Sequence, residues 1–413
     1  MPHLAAPLTA ATLLALAACS GPTEQSGPPP LLTALPRALS PAESRLISAG
    51  NQFAFGVFRE VQRARPADNI FLSPTSASMA LGMTLNGAAG TTLDSMRLAL
   101  AVPGAPIEEI NAGYRSLIDL LRGLDKSVDF SIANSIWARA GMPFAPSFLD
   151  AGRTSFDAEI QALDFSASSA LTTINQWVND KTKGKIPTIL DQIAQDEVMF
   201  LINAIYFKGS WRAAFDPKMT QDLPFHAADG STRSVPMMQL SPTPLRHAWA
   251  PDREIVELLY GNGAYAMTLV LPAAGRSLAD LTAGLDAARW AEWTSPLAEG
   301  KIGLVLPRFR LEYRRELGSD LSALGMRIAF DPVRADFSRM VSGSLTENLF
   351  ITKVIQKTFV DVNEEGTTAA AATSVGVGVT SAPAVVQFDR PFLFAIRERL
   401  SGTILFLGQV VKL

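Results

Sequence analysis

Side chains able to do covalent or acid–base chemistry are scarce in this 413-residue chain. It carries three histidines, His3, His226 and His247, and one cysteine, Cys19. A Ser-His-Asp triad needs an imidazole beside an activated serine, and the sequence has no nucleophile elbow. No His-Glu-x-x-His, cysteine pair or calcium-loop pattern offers a metal its ligands. "YGNGAYA" (260–266) has dinucleotide-like glycines, but they precede a strand pattern instead of following one, so a turn is expected. Carboxylates are scattered, and a pair converging in space stays open. The composition gives an enzyme no positive support, and neither cofactor nor metal is expected.

The chemistry that does stand out belongs to the backbone. Between Glu365 and Asp389 no residue is charged, and the run contains a Val-Gly-Val-Gly-Val block, 375–379. In an extended chain, positions 367 to 379 alternate between a small-to-apolar face (Thr, Ala, Ala, Thr, Val, Val, Val) and a nearly bare one. Such a segment can enter an existing sheet with little desolvation cost. Left unpaired, it is a hazard, because uncharged strand formers recruit other edges. A flexible Ala/Gly linker or an ordinary edge strand fits the segment equally well when it is taken alone.

Elements able to position such a segment surround it. Ser40 and Pro41 read as the cap and first residue of a helix with Leu46, Phe53, Val57 and Val61 on one face. "IFLSPTSASMALGMTL" reads as a short strand, a Ser-Pro break and a helix. Val198 to Phe207 is almost continuously apolar, which suits a strand buried on both faces, with Asn203 needing partners in its middle. Segments 264–272, 301–313, 354–363 and 402–411 read as strands. "SLADLTAGLDAARWAEWT" and "RRELGSDLSALG" read as helices. Helical patterns dominate early and strands late, without repeats, which predicts one large α+β domain over 40–413.

The net charge of −3 argues against nucleic acid as a partner. The densest basic run, "DKTKGK" (180–185), contains an acid and reads as a solvated loop. Residues 1–18 read as a signal peptide. Leu16-Ala17-Ala18-Cys19 resembles a bacterial lipobox, which would make Cys19 a lipidated N-terminus and its lipid the sole membrane contact. The Pro/Gly-rich stretch 19–39 then serves as a flexible tether. The expected locations are the bacterial envelope or, without the lipid, the extracellular space.

The flanks of the uncharged segment resolve its reading. "VNEEGTTAAAA" (362–372) resembles the hinge of inhibitory serpins, and "VQFDRPFLFAI" (386–396) resembles their C-terminal signature. The likeness continues through "NIFLSPTSASMALGMTLNGAAGTT", "INQWVNDKTKGKI", "LINAIYFKGSWRAAFDP", "VPMM" and "ALGMRIAFDPVRADFS", in order, from about residue 40 onward.

This resemblance implies a serpin fold: three β-sheets, eight or nine helices, an exposed reactive-centre loop and a metastable native state. It implies a monomer that traps a serine protease as a covalent acyl-enzyme. By the family pattern the cut falls at Thr380–Ser381, with Val379–Thr380 one residue earlier as the alternative and Val377 and Val379 as loop subsites. Glu364, Glu365, Gly366, Thr367, Thr368, Ala369, Ala370, Ala371 and Ala372 match the hinge. The small residues here agree with the inhibitory type, and Thr368 replaces a common Glu at a position expected to face outward.

Ser73, Ser76, Asn203, Gln356 and Trp211 match the cluster where the main sheet opens, with Gln356 standing where many serpins have His. The absence of Lys or Arg in the loop points to elastase-like or subtilisin-like targets. A strand from Gly366 to Thr380 would span roughly 50 Å at ~3.3 Å per residue.

Overall fold

A computed structural model describes residues 28–343, 345, 348–366 and 383–413. In chain order the first half holds α1 (Pro41–Ala64), β1 (Ile70–Leu72), α2 (Pro74–Leu85), α3 (Gly90–Ala99) and α4 (Ile107–Gly123). Then come β2 (Asp129–Arg139), α5 (Pro146–Phe156), β3 (Ala158–Leu163), α6 (Ser168–Lys181) and β4 (Met199–Lys208). The second half is strand-rich: β5 (Gln221–His226), β6 (Thr232–Ala250), β7 (Arg253–Leu259) and β8 (Tyr265–Pro272). After α7 (Leu278–Thr282) and α8 (Ala287–Thr294) come β9 (Ala298–Pro307), β10 (Phe309–Glu316) and α9 (Gly318–Leu321). The chain closes with β11 (Ile355–Val362), β12 (Val385–Gln387), β13 (Phe392–Glu398) and β14 (Ile404–Val410).

The described strands form three sheets. The largest runs β1-β14-β13-β8-β7-β6-β9-β12, with β5 beside β6. Every residue of β8, β13 and β14 is buried, as their largely apolar sequences favour, and the buried Thr268, Arg397, Glu398 and Gln409 are hydrogen-bonded. Phe71, Phe394 and Phe406 stack there, with ring centroids 5.1 and 5.6 Å from Phe71. The second sheet is β3-β2-β4 and the third is β10-β11. A satellite core of Trp137, Phe165, Ile174, Trp177 and Phe200 fills the space between α6 and the second sheet.

Helix α1 starts as its sequence dictates. The Ser40 hydroxyl accepts from the Glu43 amide at 3.1 Å, and the Glu43 carboxylate accepts from the Ser40 amide at 2.7 Å. Leu46, Phe53, Val57 and Val61 are all buried.

Four sequence expectations are corrected. The run 301–313 is two strands, β9 and β10, which part at Arg308 and join different sheets. The segment 277–294 is two helices, because Gly284 adopts a left-handed turn between them. β4 is buried on one face only: its even residues lie under α6, while Met199, Leu201, Asn203 and Ile205 stay half-exposed.

The fourth concerns the tether. Residues 29–37 are docked on the body instead of hanging free. Arg212 donates to the Pro29 carbonyl at 2.6 Å, Arg399 donates to the Leu32 carbonyl at 2.6 Å, and the Leu32 amide donates to Asn262 at 2.7 Å. Arg37 clasps the Glu43 carboxylate through two bonds of 2.8 and 2.6 Å. These bonds come from distant side chains, so no local pattern in a Pro-rich stretch announces them.

Candidate functional site

The second and third sheets meet at a gap. The C-terminal ends of β4 and β11 both lead to Gly366 and its neighbours, yet no ladder joins the two strands among the described residues. Each presents an edge of backbone donors and acceptors that a sheet would normally pair. The opening is a cavity of about 360 Å³, lined by Ile202, Asn203 and Ile205 from β4, Gln356 and Thr358 from β11, and Ser76 from α2. Nearer the hinge, Tyr206 and Phe207 face Phe359 and Asp361 across a narrower continuation. Strands in a sheet lie about 4.8 Å apart, so a slot between two open edges is the shape of one missing strand.

At the head of the slot the structure brings together Trp211, Glu364, Glu365 and Gly366. Trp211 stacks on Tyr260 with centroids 4.4 Å apart, and its indole donates to the Asn363 carbonyl at 2.9 Å. Its amide donates to the Glu365 carbonyl at 3.0 Å. The Glu364 carboxylate is buried against Arg308 and accepts from the Thr220 hydroxyl. Burial pushes its pKa up, but Arg308 and Thr220 outweigh that and hold it below the usual 4.5. Gly366 has φ +134°, and a Cβ there would lie 2.2 Å from the Gly209 carbonyl oxygen. Only glycine fits this exit from the sheet.

At the middle, Ser73, Ser76, Asn203 and Gln356 converge. Gln356 uses both ends of its amide on Ser73: its oxygen accepts from the Ser73 amide at 3.0 Å and its nitrogen donates to the Ser73 carbonyl at 2.7 Å. The Ser73 hydroxyl donates to Leu405 at 2.9 Å, and the Ser76 hydroxyl donates to the Asn203 carbonyl at 3.3 Å. The Asn203 side chain turns away from Gln356 and donates to Asn134 at 2.6 Å. The Asn203 side-chain oxygen, Oδ1, finds no partner among the described residues, whereas its backbone carbonyl accepts from Ser76.

Three contributors escaped the sequence reading. Asn134 sits directly across the β2–β4 ladder from Asn203, and two asparagines inside apolar strand patterns were a usable signal. Arg308 stands at the break between β9 and β10, a charge inside a run that read as one strand. The third is the segment after α6. Lys183 pairs with Asp129 and lies 5.3 Å from the Tyr206 ring of β4, while Lys185 lies 4.9 Å from the Phe359 ring of β11. Lys357 of β11 donates to the Thr188 carbonyl at 2.6 Å. "DKTKGK" is largely exposed, as the solvated-loop expectation has it, and its Lys183 and Lys185 also reach strands on either side of the slot.

His226 bonds Thr232, and His247 packs on Trp249. No group of three or more metal-ligating residues occurs among the described residues. Thr367, Thr368, Ala369, Ala370, Ala371, Ala372, Val377, Val379, Thr380, Ser381 and Cys19 lie outside the described residues.

The comparisons with known proteins agree with this geometry. The family model described as serpin (serine protease inhibitor) matches residues 48–413. Human Serpin B11 is 34% identical over 392 residues, covering 89% of this chain and 99% of that one. Leukocyte elastase inhibitor of Sus scrofa is 36% identical over 383 residues, covering 89% and 99%. Native tengpin, a thermophilic serpin, superposes with a TM-score of 0.82 at 29% identity, over 94% of this chain and 97% of that one. Human thyroxine-binding globulin, solved with its hormone, gives 0.80 at 29% identity, over 90% and 99%. With its family model, its full-length relatives and its three-sheet architecture in agreement, the chain belongs to the serpin family.

Proposed function

We propose that this protein inhibits serine proteases of elastase-like or subtilisin-like specificity by a single-use trap. The protease serine attacks the Thr380 carbonyl and the Thr380–Ser381 amide bond breaks. Ser381 leaves with a new amine, and an ester links Thr380 to the enzyme. The freed strand from Thr367 onward then fills the slot between β4 and β11 before water can hydrolyse that ester. Each new backbone bond contributes ~0.5–1.5 kcal/mol net, so a full strand supplies on the order of 10 kcal/mol toward deforming the captured active site.

The observation that carries this reading is the open slot ending at Gly366, the residue from which the uncharged segment departs. Incubation with an elastase-class protease followed by a denaturing gel tests it. A covalent band of summed mass is expected, and clean cleavage without that band refutes it. Gly366→Val should move the products from the covalent band toward the cleaved chain.

A second reading, a serpin-fold carrier without inhibition, draws on the likeness to thyroxine-binding globulin. It predicts cleavage with no covalent band. In our reading the protein acts as an exported monomer, held at the envelope through a lipid on Cys19. Cys19→Ala should release it from the membrane fraction.

A further inference from the structure

Glu197 and Lys353 stand at the foot of the slot, each two residues before one of its flanking strands. Their side chains form an ion pair across the opening, and both line the cavity. The Glu197 carboxylate is buried. The Lys353 ammonium also lies 5.9 Å from the Phe200 ring. Because β4 and β11 share no ladder, this pair is a side-chain bridge from one half of the opened sheet to the other.

The register of an entering strand is written at the head of the slot. Gly366 makes antiparallel bridges to Ser210 on the β4 side and to Asn363 on the β11 side. Carried on residue for residue, those registers set Gly376 across from Lys353 and Val379 across from Glu197. A strand that reaches Gly376 must pass between the two partners. Neither Gly376 nor Val379 carries a group that could replace the lost one, and a buried charge stripped of its partner is strongly disfavoured.

We propose that the Glu197–Lys353 pair is a proton-sensitive brake on the last third of strand insertion, closed while both groups are charged and released when Glu197 takes up a proton. This inference rests on the insertion reading above. The charged groups around Glu197 are Lys353 across the slot, Asp196 beside it and Arg139 at the end of β2. Arg139 is itself held by the Gln195 carbonyl and the Phe165 ring.

Burial raises the Glu197 carboxyl above the usual 4.5, with Lys353 and Arg139 opposing and Asp196 adding to the rise. Insertion moves Lys353 away, so the inserted form holds the proton more tightly than the open one. Proton uptake is thereby coupled to insertion, which is favoured as pH falls toward that raised pKa. Glu197 positions the two half-sheets and takes no part in the acyl chemistry.

The test uses the uncut full chain and two synthetic peptides, Thr367–Ser374 and Thr367–Thr380. Annealing is followed by the rise in melting temperature and by tryptophan fluorescence. The long peptide should anneal at least about threefold faster near pH 5.5 than near pH 7.5. E197Q should be fast at both and show a flat profile, and Lys353→Arg, which keeps the charged pair with Glu197, should keep the wild-type slope. The short peptide stops above the pair, so its rate should be the same in wild type and E197Q.

Normal annealing of the short peptide also shows that the variant's slot is intact. Should E197Q lose it, Lys353→Met breaks the same bridge from the more exposed side and must give the flat profile. An identical pH profile for wild type and variant with the long peptide overturns the brake, as does a short peptide that responds like the long one. If neither peptide anneals under any condition, the insertion reading itself falls, and the brake falls with it.

Discussion

The centre of the largest sheet and the slot between β4 and β11 are built from similar strand-forming sequences and end in opposite states. In β8, β13 and β14 every backbone edge has a neighbour and every residue is buried. In β4 and β11 the burial alternates, one edge of each strand has no ladder among the described residues, and a cavity lies between them. The first region is a finished sheet that holds the molecule together. In the second, no strand among the described residues fills the gap, and the free energy of completing it is kept in reserve. A protein with both needs the finished part to stay rigid while the unfinished part changes.

The sharpest way to break that contrast is to complete the slot. Cutting the loop at Thr380–Ser381 should raise the melting temperature by about 10 °C or more, given on the order of 10 kcal/mol of new strand pairing spread over a chain of this length. Calorimetry before and after nicking measures it, and an unchanged melting point would remove the contrast altogether.

Truncation within each region comes next. Phe394→Ala, in the finished sheet, should cost about 3–5 kcal/mol in denaturant titrations. Ile205→Ala, on the half-exposed lining of the slot, should cost less than about 2 kcal/mol, because its side chain already faces empty space. Equal losses would mean that the slot is packed like a core. Gln356→Leu should cost about 1–3 kcal/mol, since it leaves the buried Ser73 amide without its partner, while the Ser73 carbonyl keeps its bond from the Ala77 amide.

The smallest effect concerns acid. Arg37 and the Ser40 and Ser116 bonds hold the Glu43 carboxyl down at about 2, well below its usual 4.5, even though burial pushes the other way. The pair therefore stabilises the folded state above pH 4.5 and loses that contribution as pH falls toward 2. Arg37→Met should flatten this part of a stability-versus-pH curve and leave the neutral-pH side nearly parallel to wild type.

Much of the frame was legible before any coordinates. α1 carried its capping box and apolar face in the sequence, and β8, β11 and β14 announced themselves as strands. At the head of the slot, Gly366, Glu364 and Trp211 were named through the family resemblance of their motifs, and the structure brings these three together. What stayed hidden depended on partners far away in the chain. An apolar run such as 198–207 looks fully buried when its neighbour is assumed present, and here that neighbouring strand is missing. Arg308 read as one more residue of a strand because the switch of sheet is a tertiary event. Lys183 and Lys185 read as solvated and are largely so, but their ring contacts with Tyr206 and Phe359 form only after the sheet and α6 are assembled.

The docked stretch ahead of α1 carries a geometric consequence. Pro29 is gripped by Arg212, the residue after Trp211, whose own amide holds Glu365. Anything joined upstream of Pro29, whether a lipid, a reporter or a bead, thus begins its reach from the same pole at which the bait leaves the body.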